Sequence, residues 1–164
     1  MDEKTLYVSD LDGTLLNSEK EVSEYSRTTM NALIADGVHF TIATARTAAS
    51  TVKILSGLNI NIPVVLMNGA VIYDISEEKY IKTEIISIET TNTIIGILKE
   101  NNISGFMYAI TNDKLVTYYE NLNTKALKEF HDERVNKYYK SFEKVNDFTA
   151  GGYTCVFSSW LHSS

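Results

Sequence analysis

Asp10 and Asp12 stand two residues apart in Asp10-Leu11-Asp12-Gly13-Thr14-Leu15, directly after the apolar run Leu6-Tyr7-Val8. That run reads as a short buried strand, so both carboxylates fall where the strand ends. Gly13 permits a sharp turn there, and Thr14 puts a hydroxyl beside the acids. In an open α/β sheet, ligands bind at the carboxyl ends of the strands. An aspartate at such a place can attack phosphorus and carry the phosphoryl group as an aspartyl-phosphate. A second can pass a proton to the leaving group and later take one from water. The competing reading is an Asp-Gly turn joining two strands of a hairpin. It predicts a second strand straight after the turn. Instead Asn17-Ser18-Glu19-Lys20-Glu21 is polar, poor in β-formers, and followed by a helical pattern.

The elements that must position these acids follow from periodicity. Leu6 to Ser9 forms the first strand. Val22, Tyr25, Thr29, Met30, Leu33 and Ile34 recur at three- and four-residue spacing, the signature of an amphipathic helix. Asp36-Gly37 closes it, with Gly37 as the C-terminal cap. The β-branched, apolar run 38–43 is the second strand. Ala48, Val52 and Leu55 fit a second helix ended by Gly57, and Pro63 opens a third strand over 64–67. Proline is tolerated at a first strand position because it need not donate there. Strands alternating with helices predict a parallel sheet with right-handed crossovers.

After Asn68-Gly69-Ala70 the rhythm changes. Residues 71–73 and 80–82 flank a turn and read as a hairpin; 89–101 reads as a helix with Ile94, Ile95 and Leu98 on one face. Residues 105–110 and 115–119 predict a second hairpin around Asn112-Asp113. A helix carrying Leu122, Ala126, Leu127 and Phe130 follows, then a strand over 153–157. A boundary falls near Thr83, with an α+β module after it.

The composition narrows the classes. The chain has 164 residues, 44% of them hydrophobic, enough to bury a core. A net charge of -6 argues against nucleic-acid binding, which uses a basic face. It leaves a phosphate substrate open, because a metal ion neutralises phosphate locally. One cysteine, Cys155, forms no intrachain disulfide and reads as a small buried hydrophobe. His39, His131 and His162 have no zinc-ligand spacing with it. No apolar run reaches the ~20 residues of a membrane-spanning helix, and the charged N-terminus is not a signal peptide. A cytoplasmic location, with no membrane or nucleic-acid partner, is expected.

The six residues from Asp10 to Leu15 resemble the signature of the haloacid dehalogenase-like phosphohydrolases. Thr44-Ala45-Arg46, after the second strand, is similar to that family's second motif, where a Thr or Ser hydroxyl binds the transferring phosphoryl group. Many members with a large cap read Thr-Gly-Arg here, and Ala45 stands in place of the glycine. Taken alone, Thr44 also reads as a helix N-cap, and Arg46 can either pair with phosphate or hold the loop through a carboxylate. Asn68-Gly69-Ala70, after the third strand, matches a tripeptide of the Cof-type subgroup, whose large α/β cap (type IIB) follows the third core strand. There the asparagine lies near the phosphate pocket; a plain Asn-Gly turn is the alternative.

The resemblance covers residues 4–74 with specific motifs and 84–157 more loosely. It implies an α/β fold: the N-terminal part of a Rossmann-like core (1–83) and a partial α+β cap (84–164). It implies Asp10 as nucleophile and Asp12 as acid and base. Thr44, Arg46, Asn68 and Gly69 would bind phosphate. Mg²⁺ would sit on the Asp10 side chain and the Asp12 backbone carbonyl, with a small phosphorylated metabolite as substrate. Mg²⁺ suits such a site because one or two carboxylates plus substrate oxygens suffice to hold it. Tyr118-Tyr119 and Tyr138-Tyr139 read as half-buried sheet and helix residues, with pocket lining the alternative.

The family also uses a lysine and an acidic Gly-Asp-x-x-x-Asp-type loop C-terminal to the cap, and neither occurs in this chain. Lys137, Lys140 and Lys144 lie in the cap-like region and are not assigned that role. Asn146-Asp147 lacks both the Gly-Asp and a strand to carry it. The chain is therefore expected to be C-terminally truncated, with exposed strand edges, impaired turnover and a homodimer covering the open surface. The alternative function is an inactive fragment that only binds a ligand or partner. A phospho-accepting receiver domain is disfavoured, because its acceptor aspartate ends the third strand, where this chain has Met67-Asn68.

Overall fold

The computed structural model describes residues 5–111, 114–151 and 155–160, the last stretch as backbone alone. Two compact units divide the chain, Met1–Thr83 and Glu84–Ser164. Asn112-Asp113 of the expected hairpin, Tyr153 and Thr154 of the expected last strand, His162 and the Cys155 side chain lie outside the described residues.

In the first unit, β1 (Leu6–Ser9) pairs in parallel with β2 (His39–Ile42), joined by helix α1 (Glu24–Ala35). Helix α2 (Ala48–Ile54) leads to β3 (Val64–Leu66), which touches β2 through one parallel bridge, Ala43 to Val65. From there the order turns antiparallel: β3 pairs with β4 (Val71–Asp74), and β4 with β5 (Lys79–Thr83). Ile42, Val64, Leu66, Met67 and Val71 are buried at the centre.

Helix α1 ends as its sequence demands. The Val38 N–H bonds the Leu33 carbonyl and the Gly37 N–H bonds that of Ile34, both at 3.0 Å, with Gly37 at φ +93°. This is the paired pattern of a Schellman cap, whose turning residue is left-handed. No atom lies within 4 Å of where a Gly37 Cβ would stand, so the cost of a side chain there is conformational. Gly37→Ala is expected to destabilise the chain by about 1 kcal/mol, read from the denaturant midpoint.

One expectation fails in this unit. β1 is not buried: Leu6, Tyr7 and Val8 are 50%, 57% and 54% exposed. Helix α1 buries no residue either. Both follow from the same geometry. A parallel strand is buried when it has neighbours on both edges and cover on both faces. Among the described residues β1 pairs only with β2. Tyr7, Met30, Leu33, Ile34, Val38 and Phe40 instead line an open groove of about 410 Å³. An apolar periodicity specifies which face could be buried, and only a packing partner buries it.

The second unit has helix α3 (Ile88–Glu100), strands β6 (Gly105–Thr111) and β7 (Lys114–Tyr119), helix α4 (Lys125–Tyr138), and strands β8 (Phe142–Lys144) and β9 (Cys155–Trp160). They form a four-stranded sheet in the order β8-β7-β6-β9. β6 is central, and its side chains alternate between two cores. Met107 and Ala109 pack with Ile95 of α3, Tyr118 and Phe148. Phe106 points to the other face, against Phe130 of α4. The two-residue period of a strand serves both helices at once.

Strand β8 corrects the sequence reading, which placed no strand before Asn146-Asp147; Phe142–Lys144 pairs in parallel with Thr117 to Tyr119. Asp147 has a structural task there. Its Oδ1 accepts from the Thr149 hydroxyl at 2.6 Å, the Thr149 N–H at 2.7 Å and Lys99 Nζ at 3.0 Å. These bonds, the Thr149 hydroxyl foremost, push its carboxyl down to about 2. Lys99 also reaches Glu120 at 3.0 Å, tying the end of α3 to the end of β7. Of the tyrosine pairs, Tyr118 and Tyr138 are buried, Tyr119 is half-buried and Tyr139 is exposed. Among the described residues no helix is long and apolar enough to cross a membrane.

Candidate active site

The chain leaves β1 at Ser9 and folds the next residues into a tight turn, Leu11–Leu15. Leu11 is fully buried and pins the turn, and the Leu16 N–H closes it onto the Leu11 carbonyl at 3.0 Å. Gly13 takes φ +78° inside it, a conformation that glycine adopts without steric cost. Asp10 and Asp12 are both exposed on this turn. Asp10 is extended, at φ -75° and ψ 165°, and its carboxylate has no hydrogen bond or ion pair among the described residues.

The second strand tip lies beside the first, since the Ala43 N–H donates to the Ser9 carbonyl at 2.9 Å. Thr44 follows, buried, its Oγ1 accepting from the Arg46 N–H at 3.3 Å. It does not cap α2, because Thr47 holds that position. Arg46 meets the Asp12 carboxylate: Nε donates to Oδ2 at 2.7 Å and Nη2 to Oδ1 at 2.6 Å. This bidentate fork is the strong form of a charge-assisted hydrogen bond.

The third tip is stitched to the second by backbone alone. The Met67 N–H donates to the Arg46 carbonyl at 3.1 Å and the Asn68 N–H to that of Thr44 at 3.2 Å. Asn68 and Gly69 are exposed on this turn. The structure thus brings Asp12, Thr44, Arg46, Asn68 and Gly69 together at the ends of β1, β2 and β3, with Asp10 at the start of the same turn as Asp12. The backbone stitches and the part played by Met67 have no signal in the sequence, since any residue can donate an N–H.

The Arg46 hydrogen bonds hold the Asp12 carboxyl below its ordinary 3.8; burial works against them, and the charges of Arg46 and Lys20 assist. A lowered carboxylate contributes stability that is full above the unfolded value and fades as pH falls through the folded one. The Asp12 side chain is 52% exposed, so the pair is screened and stabilises by no more than about 1 kcal/mol. Arg46→Ala should therefore lower the melting temperature slightly at neutral pH. Its curve should meet that of the parent chain once pH falls below the Asp12 range, as thermal unfolding across pH would read.

No group of three or more His, Cys, Asp or Glu side chains suited to a metal occurs among the described residues. The Asp10 carboxylate and the Asp12 carbonyl, both hard oxygens, fit an ion that takes few protein ligands and retains water. Mg²⁺ is such an ion. The Asp12 carboxylate is held by Arg46; its backbone oxygen is the ligand that the resemblance implies.

An acid pair stands at the carboxyl end of a parallel strand pair, and the family of the whole chain is shown by its sequence match. The profile of the haloacid dehalogenase-like hydrolases matches residues 7–158, and the chain belongs to that family. Among its relatives, phosphatase YwpJ of Bacillus subtilis is 33% identical over 97 residues, 59% of this chain and 34% of YwpJ. The 5-amino-6-(5-phospho-D-ribitylamino)uracil phosphatase YwtE of B. subtilis is 31% identical over 111 residues, 68% of this chain and 37% of YwtE. Among solved structures, TM0651 of Thermotoga maritima superposes with a TM-score of 0.63 at 28% identity, over 84% of this chain and 49% of that one. A haloacid dehalogenase-like hydrolase of Bacteroides thetaiotaomicron shares the fold, with a TM-score of 0.69 at 22% identity, over 91% and 54%. The chain spans about a quarter to a half of the length of the curated relatives it matches, from 24% to 53%.

Proposed function

We propose that this chain acts as a Mg²⁺-dependent phosphohydrolase on a small phosphorylated metabolite, through an aspartyl-phosphate on Asp10. The observation that carries the reading is the convergence of three strand tips on one acid pair, with Arg46 seated on Asp12 at 2.6 and 2.7 Å. A carboxylate oxygen of Asp10 attacks phosphorus, the bond to the leaving oxygen breaks, and that oxygen takes a proton from Asp12. Asp12 then takes a proton from the water that attacks the aspartyl-phosphate, and phosphate departs. Arg46 holds Asp12 in its base form; moving to the phosphoryl oxygens, it would let the carboxyl hold the proton it must donate. Thr44 and the exposed Asn68-Gly69 turn would contact the phosphoryl oxygens. The Asp10 carboxylate and the Asp12 carbonyl would hold Mg²⁺, which supplies positive charge against those oxygens.

The name of YwtE, a phosphatase of a phosphorylated ribitylamino-uracil, supports a small phosphorylated metabolite as substrate class. The second unit, 84–164, serves as the cap and the first, 1–83, as core. The uncovered groove beside β1 supports a homodimer as the state that buries it, and the family supports a cytoplasmic location.

The test is hydrolysis of a generic aryl phosphate with and without Mg²⁺, with Asp10→Asn as control. Mg²⁺-dependent turnover absent from the variant supports the reading. Turnover no greater than the variant's overturns catalysis by this chain alone and favours ligand binding without chemistry.

A further inference from the structure

Met67, Asn68 and Gly69 are three consecutive residues in the left-handed region, at φ +54°, +57° and +92°. For glycine this is ordinary, and asparagine tolerates it. Methionine rarely adopts it, and Met67 is also buried. Such a backbone persists only where its surroundings over-determine it. Here three bonds do so. Met67 donates to Arg46 O at 3.1 Å, Asn68 donates to Thr44 O at 3.2 Å, and Ala70 donates back to Met67 O at 3.2 Å.

The handedness has a geometric consequence. Leu66 and Val71 are paired, so the four residues between them form the loop of the β3–β4 hairpin. The direction of each amide depends on the dihedrals flanking it. With Met67 and Asn68 left-handed, their N–H groups point sideways into the loop after β2. Extended Leu66, at ψ 164°, orients the Met67 N–H, and the Met67 dihedrals orient the next peptide, so a right-handed Met67 would turn the Asn68 N–H off the Thr44 carbonyl and misdirect the loop that both bonds hold. The Arg46 backbone is therefore gripped on both sides, by Thr44 Oγ1 on its N–H at 3.3 Å and by Met67 on its carbonyl. Its guanidinium leaves that fixed backbone toward Asp12.

We propose that Met67 is a positioning residue: its left-handed backbone at the tip of β3 anchors the Thr44–Arg46 loop, and through Arg46 it aims the Asp12 carboxylate. The inference rests on the reading of Asp12 as the proton-transferring acid of a phosphohydrolase.

Leucine and isoleucine separate this role from simple burial. They have equal volume, so either fills the Met67 site about equally well, but isoleucine is β-branched and resists the left-handed region. The readout is the Arg46 Nε–H resonance of the full chain, protected from solvent exchange by the Asp12 pair and absent in Asp12→Asn. The expected result is that Met67→Leu keeps the protected resonance and Met67→Ile loses it while the amide signals of β3 and β4 persist. Asn68→Val gives a second route if Met67→Ile fails to fold, because Asn68 is exposed and its replacement empties no core. It too should lose the resonance. Retention of the resonance in folded Met67→Ile, or in Asn68→Val, overturns the proposal, as does its loss in folded Met67→Leu. The resonance reports the ion pair whether or not the chain turns over substrate, so failure of this inference is distinct from failure of the phosphohydrolase reading.

Discussion

Asp10→Asn is expected to abolish Mg²⁺-dependent hydrolysis of an aryl phosphate, a fall on the order of 10⁴ or more, the scale reached when a covalent nucleophile is lost. An amide oxygen is a poor nucleophile and a weaker ligand for a hard cation, so one change removes two functions. The fold should not register it. Asp10 is exposed and its carboxylate has no hydrogen bond or ion pair among the described residues, so thermal unfolding should move within about 0.5 kcal/mol, as for surface positions generally. That contrast separates chemistry from structure. Arg46→Ala would disturb both, because it breaks a bidentate pair and loosens the acid it holds. Steady-state rates with and without Mg²⁺, set beside melting curves of the same preparations, check the expectation. Equal rates for the two proteins would sink Asp10 as the nucleophile.

The largest expected effect on stability lies in the second unit. Phe106→Ala should cost about 3–5 kcal/mol, the range for removing a buried aromatic ring. Phe106 is wholly inaccessible to solvent. It stacks on Phe130 with centroids 5.0 Å apart, meets Phe142 edge-on at 5.4 Å and lies 6.5 Å from Tyr119. One ring thus joins α4 to β6, β7 and β8. The cavity left by alanine cannot collapse easily, because β6 is held on its other face by Ile95 and Tyr118 through Met107 and Ala109. A loss of that size is a large part of the total stability of a domain. Denaturant titration followed by tyrosine fluorescence should show an early transition, or a second unit already unfolded in water. A midpoint within experimental error of the parent chain would contradict the packing described.

Much of this arrangement was legible in the sequence because local and global signals agree. The β-branched run before Thr44 and the Asp36-Gly37 cap specify their elements without help from the rest of the chain. The acid pair, Thr44 and Asn68 each follow a strand, and parallel topology then requires their tips to share one edge. Other features carried no local signal. Strand β8 is three residues long and contains Glu143 and Lys144, so it offers too few apolar positions to show an alternation. Its pairing comes from β7, whose edge it completes. Exposed strand edges were expected, but not that β1 and α1 would carry the exposure, since an apolar pattern is the same whether or not something packs on it.

By itself the sequence determined the order of strands and helices in the first unit, the left-handed cap at Gly37, and the placement of Asp10, Asp12, Thr44 and Asn68 at strand ends. Those depend on residues within a turn of one another. Only the tertiary structure decided that Arg46 binds Asp12, 34 positions away, and that Met67 turns left-handed to grip the loop carrying Arg46. The reason is physical: an arginine offers the same donors to any acceptor, and a methionine prefers a right-handed or extended backbone. Which acceptor is met, and which backbone is forced, follows from how three strands bring their tips together.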